Sequence, residues 1–305
     1  MSDWLSGNRR FFLRLIGTLL AIGLIVILVK GEGWNEILDA LKKISPMQIV
    51  LTLLLMLISR FFVVLRWHVL LRSGGVKISI WDTTALTFTG LFANNFLPTT
   101  IGGDVVRLAG VMQLGYDRAI SVASLAADRL IGMIGMLFTL PLGLVPAFGG
   151  LSPSASHSIV LSVFFQRIRD FIKRTLQTFS IWLKNPLSLM VALICTWGNM
   201  VFVFITLYIL VHDLGGNADF WLIAGLWTLA YFVTLVPISI NGYGVQELSL
   251  TFLLSSVANL GTGISLATAV LIRILYLAVS LVGAVYLPAI LAALDTDRVP
   301  EKNRQ

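Results

Sequence analysis

Charged residues are scarce in this chain. Asp, Glu, Lys and Arg make up 12% of its 305 residues, hydrophobic residues make up 57%, and the mean hydropathy is +0.90. Because a soluble domain has about 25% charged residues, this composition excludes an ordinary soluble protein. It predicts an all-α, polytopic integral membrane protein. The net charge of +7 lies in a few short Lys/Arg-rich loops, which favours topology signals and anionic lipid headgroups over nucleic acid.

Cysteine and histidine are also rare. The single cysteine, Cys195, cannot form an internal disulfide or a two-cysteine metal or redox site. The histidines, His68, His157 and His212, are scattered and lack the H-E-x-x-H spacing of a zinc protease. The chain also has no G-x-S-x-G nucleophile motif. We therefore expect no metal, no cofactor and no enzymatic activity.

Apolar runs predict how the chain crosses the membrane. Arginines before the first run favour a cytoplasmic N-terminus, and the basic amphipathic segment 166–185 is predicted to lie on the cytoplasmic face. This segment divides the single transmembrane domain into a first half (11–165) and a second half (187–291), followed by a polar tail (292–305). The apolar runs cover residues 15–29, 47–71, 79–96, 119–145, 151–165, 187–211, 220–236 and 264–291.

The stretch Asn94–Gly110 interrupts the apolar pattern with helix-breaking and charged residues. Pro98 lacks an amide hydrogen, and the Gly102–Gly103 pair frees the backbone from its usual dihedral limits. Asp104 and Arg107 follow at helical spacing, on one face of a helix that restarts there. In hydrocarbon, a broken backbone persists where it is buried in protein or lines a wet cavity. We therefore predict a re-entrant helix at a substrate site, with an ordinary polar loop as the alternative.

A similar break follows in the second half, after Pro237. Asp104 and Arg129 are 25 positions apart, and Glu247 and Arg273 are 26 apart. The spacing favours a weak internal repeat, in which two re-entrant hairpins leave about six full crossings and both termini in the cytoplasm. Inversion of the halves would put the substrate between the hairpins. The predicted break and groove positions are Asn94, Asn95, Pro98, Gly102, Gly103, Pro237, Asn241, Gly242 and Gly244.

The charges inside the apolar runs are candidate binding residues. A charge near the middle of a span costs about 2.5–3.5 kcal/mol, so each one requires a partner or a cavity. Arginine exceeds the acids, and its planar fork suits phosphate, so we predict a phosphate-bearing substrate. The alternative is that these residues pair with each other to close a bundle. The residues are Arg60, Arg66, Arg107, Arg129 and Arg273 against Asp104, Asp128 and Glu247.

The order of these motifs resembles a known membrane family. The pattern N-x-x-x-P-x-x-x-G-G-D-x-x-R spans Asn94–Arg107, the pair Asp128–Arg129 follows, and P-x-S-x-x-G-x-G-x-x-E spans Pro237–Glu247, before Arg273. Together they resemble the flippase-type transmembrane domain of lysylphosphatidylglycerol synthases and its stand-alone relatives, over about residues 11–291. Where that family commonly has Glu before the arginine, this chain has Asp128. The full synthases carry an aminoacyl-transferase domain after the membrane part; we expect this chain to lack one and not to synthesise lysyl-lipid.

The resemblance implies a two-repeat fold that moves polar lipids between the leaflets of a bacterial cytoplasmic membrane. We expect an anionic or zwitterionic lipid substrate, with an isoprenoid-linked lipid among the candidates. Arg107, Arg129 and Arg273 are expected to hold phosphate, while the acids orient these arginines or bind a cationic headgroup. Two alternatives stay open: a secondary transporter of a small anion, and a non-catalytic membrane partner of envelope glycolipid assembly, which would bind other envelope-biosynthesis proteins.

Overall fold

The computed structural model describes residues 42, 44–95, 97, 102–148, 185–235 and 242–286. The predicted spans 15–29 and 151–165, nearly all of the basic segment 166–185 and the polar tail lie outside these residues, as do Pro98, Pro237 and Asn241. All the regular elements in the described ranges are helical. They are α1 (Pro46–Ser73), α2 (Ile80–Ala93), α3 (Gly102–Gln113), α4 (Arg118–Leu137), α5 (Leu140–Phe148), α6 (Pro186–Asp213), α7 (Phe220–Thr234), α8 (Val245–Ser256) and α9 (Thr262–Ser280), which continues as a 3₁₀ helix, Leu281–Val285.

Four of these helices are long and apolar enough to cross a membrane: α1, α4, α6 and α9 with its 3₁₀ extension. Helix α7 is apolar but shorter. The predicted class, an all-α polytopic membrane protein, is therefore confirmed for the described residues. Much of the outer face of α1 is apolar and exposed, as expected for a surface in contact with lipid; Met47, Val50 and Leu54 are examples.

One predicted span differs from the structure. We expected residues 119–145 to form one helix, but α4 ends at Leu137 and a separate helix, α5, begins at Leu140. Pro141 explains the interruption, because it has no amide hydrogen to donate to the preceding turn. Gly143 of α5 then packs directly against the backbone of Gly225 in α7. Small residues permit this close approach.

The same order of helices occurs twice along the chain. Helices α1 and α6 both have 28 residues and begin with proline, and each ends in a turn with a positive-φ glycine, Gly75 or Gly215. Helices α2 and α7 then begin at a side-chain N-cap, from Ser79 and Asp219 respectively. Helices α3 and α8 have 12 residues each, and α4 and α9 have 20 and 19. The described elements thus form two similar series, α1–α4 and α6–α9.

The first helices of the two series pack against each other in opposite directions. Near the start of α1, Gln48 donates a hydrogen bond to Asp213 at the end of α6. Near the other end of α1, Nη1 of Arg66 lies 3.3 Å from Oγ1 of Thr196 in the first half of α6. Residue numbers rise on one helix as they fall on the other, so α1 and α6 are antiparallel.

The last helix of each series begins beside the end of its own first helix. The Cβ position of Gly74, just after α1, is 3.1 Å from Ile120 in the first turn of α4. The Cβ position of Gly216, just after α6, is 3.2 Å from Leu260, which precedes α9. Helix α4 therefore returns along α1 from its C-terminal end, and α9 starts near the N-terminal end of α1.

Candidate functional site

A cluster of five charged side chains joins α1, α3 and α4; we call it the first cluster. Its most buried member is Asp128, whose side chain is 3% exposed. Nε of Arg66 donates to one carboxylate oxygen of Asp128 at 2.7 Å, and both Nη atoms of Arg107 donate to the other at 3.2 Å. Asp128 therefore connects three helices through two guanidinium groups.

Asp104 connects the same cluster to a more exposed arginine. Its carboxylate accepts a hydrogen bond from Nη1 of Arg107 at 3.2 Å and another from Nε of Arg129. The side chain of Arg129 is 40% exposed, whereas that of Arg107 is 9% exposed. Asp104 is thus shared by a buried and an accessible arginine. The cluster comprises Arg66, Asp104, Arg107, Asp128 and Arg129, whose charges sum to one positive charge.

Glycines at the first break, which runs from Asn94 to Gly103, and at Gly90 just before it allow α2, α3 and the first cluster to pack closely. The backbone N–H of Gly103, in the first turn of α3, donates to Oδ1 of Asn94 at 2.7 Å. A Cβ at Gly103 would overlap the carbonyl oxygen of Gly90, so α2 and α3 approach closely because both positions lack side chains. A Cβ at Gly90 would lie 2.8 Å from Cγ of Arg107. Arg107 therefore occupies space that Gly90 leaves, and its guanidinium covers the Trp67 ring at 3.9 Å from the centroid.

The second cluster lies where α8 meets α9. Glu247 accepts a hydrogen bond from Nε of Arg273 with one oxygen, and from the backbone N–H of Gly244 at 2.7 Å with the other. It therefore caps the N-terminus of α8 while it pairs with Arg273. Nη2 of Arg273 also donates to Gln246 at 2.8 Å, and its guanidinium lies 4.8 Å from the centroid of the Tyr243 ring. Glu247 and Arg273 are 7% and 15% exposed.

The two breaks are neighbours in space. Nδ2 of Asn95, at the first break, donates to Oγ of Ser280 at the end of α9, at 2.8 Å. The hydroxyl of Tyr243, at the second break, donates to Oδ1 of the same Asn95 at 3.3 Å. Asn95 therefore links the polar segments of both halves.

Most of the chain matches a known family of membrane proteins. Residues 14–283 match the family described as the lysylphosphatidylglycerol synthase TM region. The chain belongs to this family. A relative is the UPF0104 membrane protein of Methanothermobacter thermautotrophicus, which is 23% identical over 334 residues, covering 93% of this chain and 94% of the relative. The family resemblance inferred from the motifs is therefore confirmed.

Within this synthase TM family member, the charged residues singled out in the sequence fall into three places. The structure puts Asp104 with Arg129, and Glu247 with Arg273, as the repeated spacing suggested. It also adds Arg66, Arg107 and Asp128 to the first pair. Arg60 belongs to neither cluster. Of the break residues, Asn94 caps α3, Gly102 and Gly103 begin α3, and Gly242 and Gly244 precede α8 with φ of +72° and +79°.

Several polar partners in this family member had no recognisable signal in the sequence. Asn199 and Tyr276 contact Arg60, Gln246 and Tyr243 contact Arg273, and Ser280 contacts Asn95. All five are single residues in apolar or break segments, and nothing in their spacing predicts these contacts. Their roles depend on how the helices pack. The histidines make local contacts: Nδ1 of His68 lies 2.9 Å from Oγ1 of Thr83, and that of His212 lies 3.0 Å from the carbonyl of Tyr208. The described ranges contain no His/Cys/Asp/Glu group suited to a metal ion.

Proposed function

We propose that this protein moves a phosphate-bearing polar lipid between the two leaflets of the cytoplasmic membrane, without modifying it chemically. The observation that carries the proposal is the sharing of Asp104 by Arg107 and Arg129. If Arg129 turned toward a phosphate, Asp104 would keep a charged partner in Arg107, so no buried carboxylate would be left uncompensated. The accessible arginine is therefore the one that can exchange its ligand.

The net positive charge of the first cluster supports an anionic ligand. Among the described residues this cluster has three guanidiniums and two carboxylates, and one negative charge, as a phosphodiester supplies, balances these five side chains. The second cluster, with one carboxylate and one guanidinium, is already neutral. We infer that phosphate binds first at Arg129. Arg273 can then hold it after displacing Glu247, whose second oxygen stays bonded to the N-terminus of α8.

The repeated series supports access from both leaflets. Helices α1 and α6 begin the two series and run antiparallel, so if both cross the membrane, the halves have inverted topology. Arg66, in the first cluster, lies toward the C-terminal end of α1, whereas α9, which carries Arg273, starts near the N-terminal end. Inversion thus puts the clusters at different depths. We include in this proposal the two re-entrant hairpins, the about six membrane crossings and the cytoplasmic termini that the sequence predicts.

The family name agrees with this class of substrate. It refers to lysylphosphatidylglycerol, a lipid with a phosphodiester. For this chain we propose only that the substrate also contains a phosphodiester. Acyl or isoprenyl tails would stay in the bilayer while the headgroup passes between the breaks. The lipid is anionic or zwitterionic, and an isoprenoid-linked headgroup meets the same requirement.

Reconstitution tests the proposal. The purified chain is inserted into vesicles of phosphatidylethanolamine and phosphatidylglycerol containing a fluorescent phosphatidylglycerol, and dithionite bleaching measures transfer between leaflets. Mass spectrometry of co-purified lipids extends the set of probes. We expect transfer by the wild type and at least tenfold slower transfer by Arg129→Gln. Arg118→Gln is the matched control, because this exposed arginine lies on the same helix, in its first turn.

The same vesicles separate the alternatives. A small-anion transporter would take up labelled inorganic phosphate without accelerating lipid transfer. A non-catalytic partner in glycolipid assembly would do neither. The proposed function is contradicted if the wild-type protein moves no probe lipid and the Arg129→Gln and Arg118→Gln variants give the same result.

A further inference from the structure

Arg60 lies between the two clusters along α1. Arg66, which contacts the first cluster's Asp128, is six residues further along this helix, roughly 9 Å by the helical rise. Arg60 also contacts α9, the helix that carries Arg273 of the second cluster: its guanidinium lies 4.7 Å from the centroid of the Tyr276 ring. Arg273 precedes Tyr276 by three residues, nearer the end of α9 that lies beside the start of α1. Arg60 therefore occupies an intermediate depth between the clusters.

The partners of Arg60 are all neutral. Nη2 donates to Oδ1 of Asn199 at 3.1 Å, and Nε donates to the hydroxyl of Ser59 at 3.2 Å. Within the described residues, no carboxylate pairs with Arg60 and its Nη1 makes no hydrogen bond. The side chain is partly exposed. A guanidinium held by an amide, a hydroxyl and an aromatic face is oriented but keeps its full charge and a free donor for an anion.

The position that corresponds to Arg60 in the second series carries no charge. Counting from Pro46 and Pro186, the position in α6 that corresponds to Arg60 is Met200, which is 4% exposed. Met200 follows Asn199, the partner of Arg60, so the corresponding positions of the antiparallel helices meet here. Arg60 therefore lies where the first helices of the two series meet, between the two clusters.

We propose that Arg60 is the central phosphate-binding residue of the pathway, which holds the lipid phosphate while it passes from one cluster to the other. This inference rests on the proposed function and adds a residue and a step to it. The phosphate oxygens would bond to Nη1 of Arg60, while Asn199 and Tyr276 keep the guanidinium in place. The neutral partners make release easy, since no carboxylate has to be displaced or restored at this step.

The test uses the full chain in the vesicles described above. Arg60→Met introduces the residue found at the corresponding position of α6 and removes a charge from a membrane span, so the variant should fold at least as stably as the wild type. We expect transfer of fluorescent phosphatidylglycerol to fall at least tenfold in this variant. Arg60→Lys should recover part of the rate, because it keeps the charge but loses the planar fork. Arg72→Gln, an exposed arginine in the last turn of α1, is the matched control with unchanged transfer.

The outcomes separate this inference from the function on which it rests. Wild-type transfer together with equally fast transfer by a folded Arg60→Met variant overturns the role of Arg60 and leaves the proposed function intact. A wild type that carries labelled inorganic phosphate but no lipid, with carriage lost in Arg60→Met, supports the phosphate site and overturns the lipid substrate. A wild type that moves neither probe overturns both proposals.

Discussion

Asp128 holds α1, α3 and α4 together, and its replacement by Asn should strongly destabilise the protein. The carboxylate is 3% exposed and bonds to Arg66 and Arg107, whose side chains are 10% and 9% exposed. Asn keeps the shape of Asp but removes the charge, which leaves Arg66 with no carboxylate among the described residues. Removal of one partner from a buried ion pair costs about 3–5 kcal/mol, and we expect Asp128→Asn to fall in this range.

The second series provides a matched comparison for this prediction. Positions in the two series correspond when they are counted from the first residues of the corresponding helices. At the positions of Arg66, Arg107 and Asp128, the second series has apolar or small polar residues, each at most 2% exposed. The triple variant Arg66→Thr/Arg107→Leu/Asp128→Ile copies those residues into the first series. It leaves no unpaired buried charge, so its stability loss should be smaller than that of Asp128→Asn alone. The corresponding pairs are Arg66 and Thr206, Arg107 and Leu250, and Asp128 and Ile272.

Equilibrium unfolding in mixed dodecyl maltoside and SDS micelles measures both free energies, and the vesicle assay measures transfer. The triple variant should be folded but slow in transfer, because its first cluster retains Asp104 and Arg129 and has no excess positive charge. A triple variant less stable than Asp128→Asn would refute the view that the cost comes from uncompensated charge. Wild-type transfer by the triple variant would refute the requirement for that excess.

Two further predictions follow from the contacts. A double-mutant cycle with Glu247→Gln and Arg273→Met should give a coupling free energy of about 0.5–3 kcal/mol in unfolding, since these residues pair directly; additivity within about 0.5 kcal/mol would contradict the contact. Gly103→Leu should abolish lipid transfer while membrane insertion is retained, because any side chain there overlaps the carbonyl of Gly90 and separates α2 from α3. Gly261→Ala is its control for insertion, because nothing lies within 4 Å of that Cβ position and its φ of −56° suits any residue. Normal transfer by Gly103→Leu would return the first break to an ordinary loop.

Part of this organisation follows from the sequence alone. Long apolar runs predict helices because hydrocarbon requires every backbone polar group to be bonded internally, and this sets the class without any tertiary information. The pairs Asp104–Arg129 and Glu247–Arg273 could also be predicted. Each combines an acid just after a helix break with an arginine in a later span, and a charge inside an apolar segment requires a partner.

Other features were decided by the packing of the helices. Whether Asp128 faces Arg66 and Arg107, and whether Arg60 faces Asn199 and Tyr276, depends on the rotation and depth of helices that are distant in the chain. Local pattern does not set these quantities in a membrane, because apolar side chains are equally compatible with lipid and with a neighbouring helix. The hydropathy of the sequence therefore predicts the helical segments, apart from the interruption between α4 and α5, and close contacts at glycines and buried ion pairs determine how the helices meet.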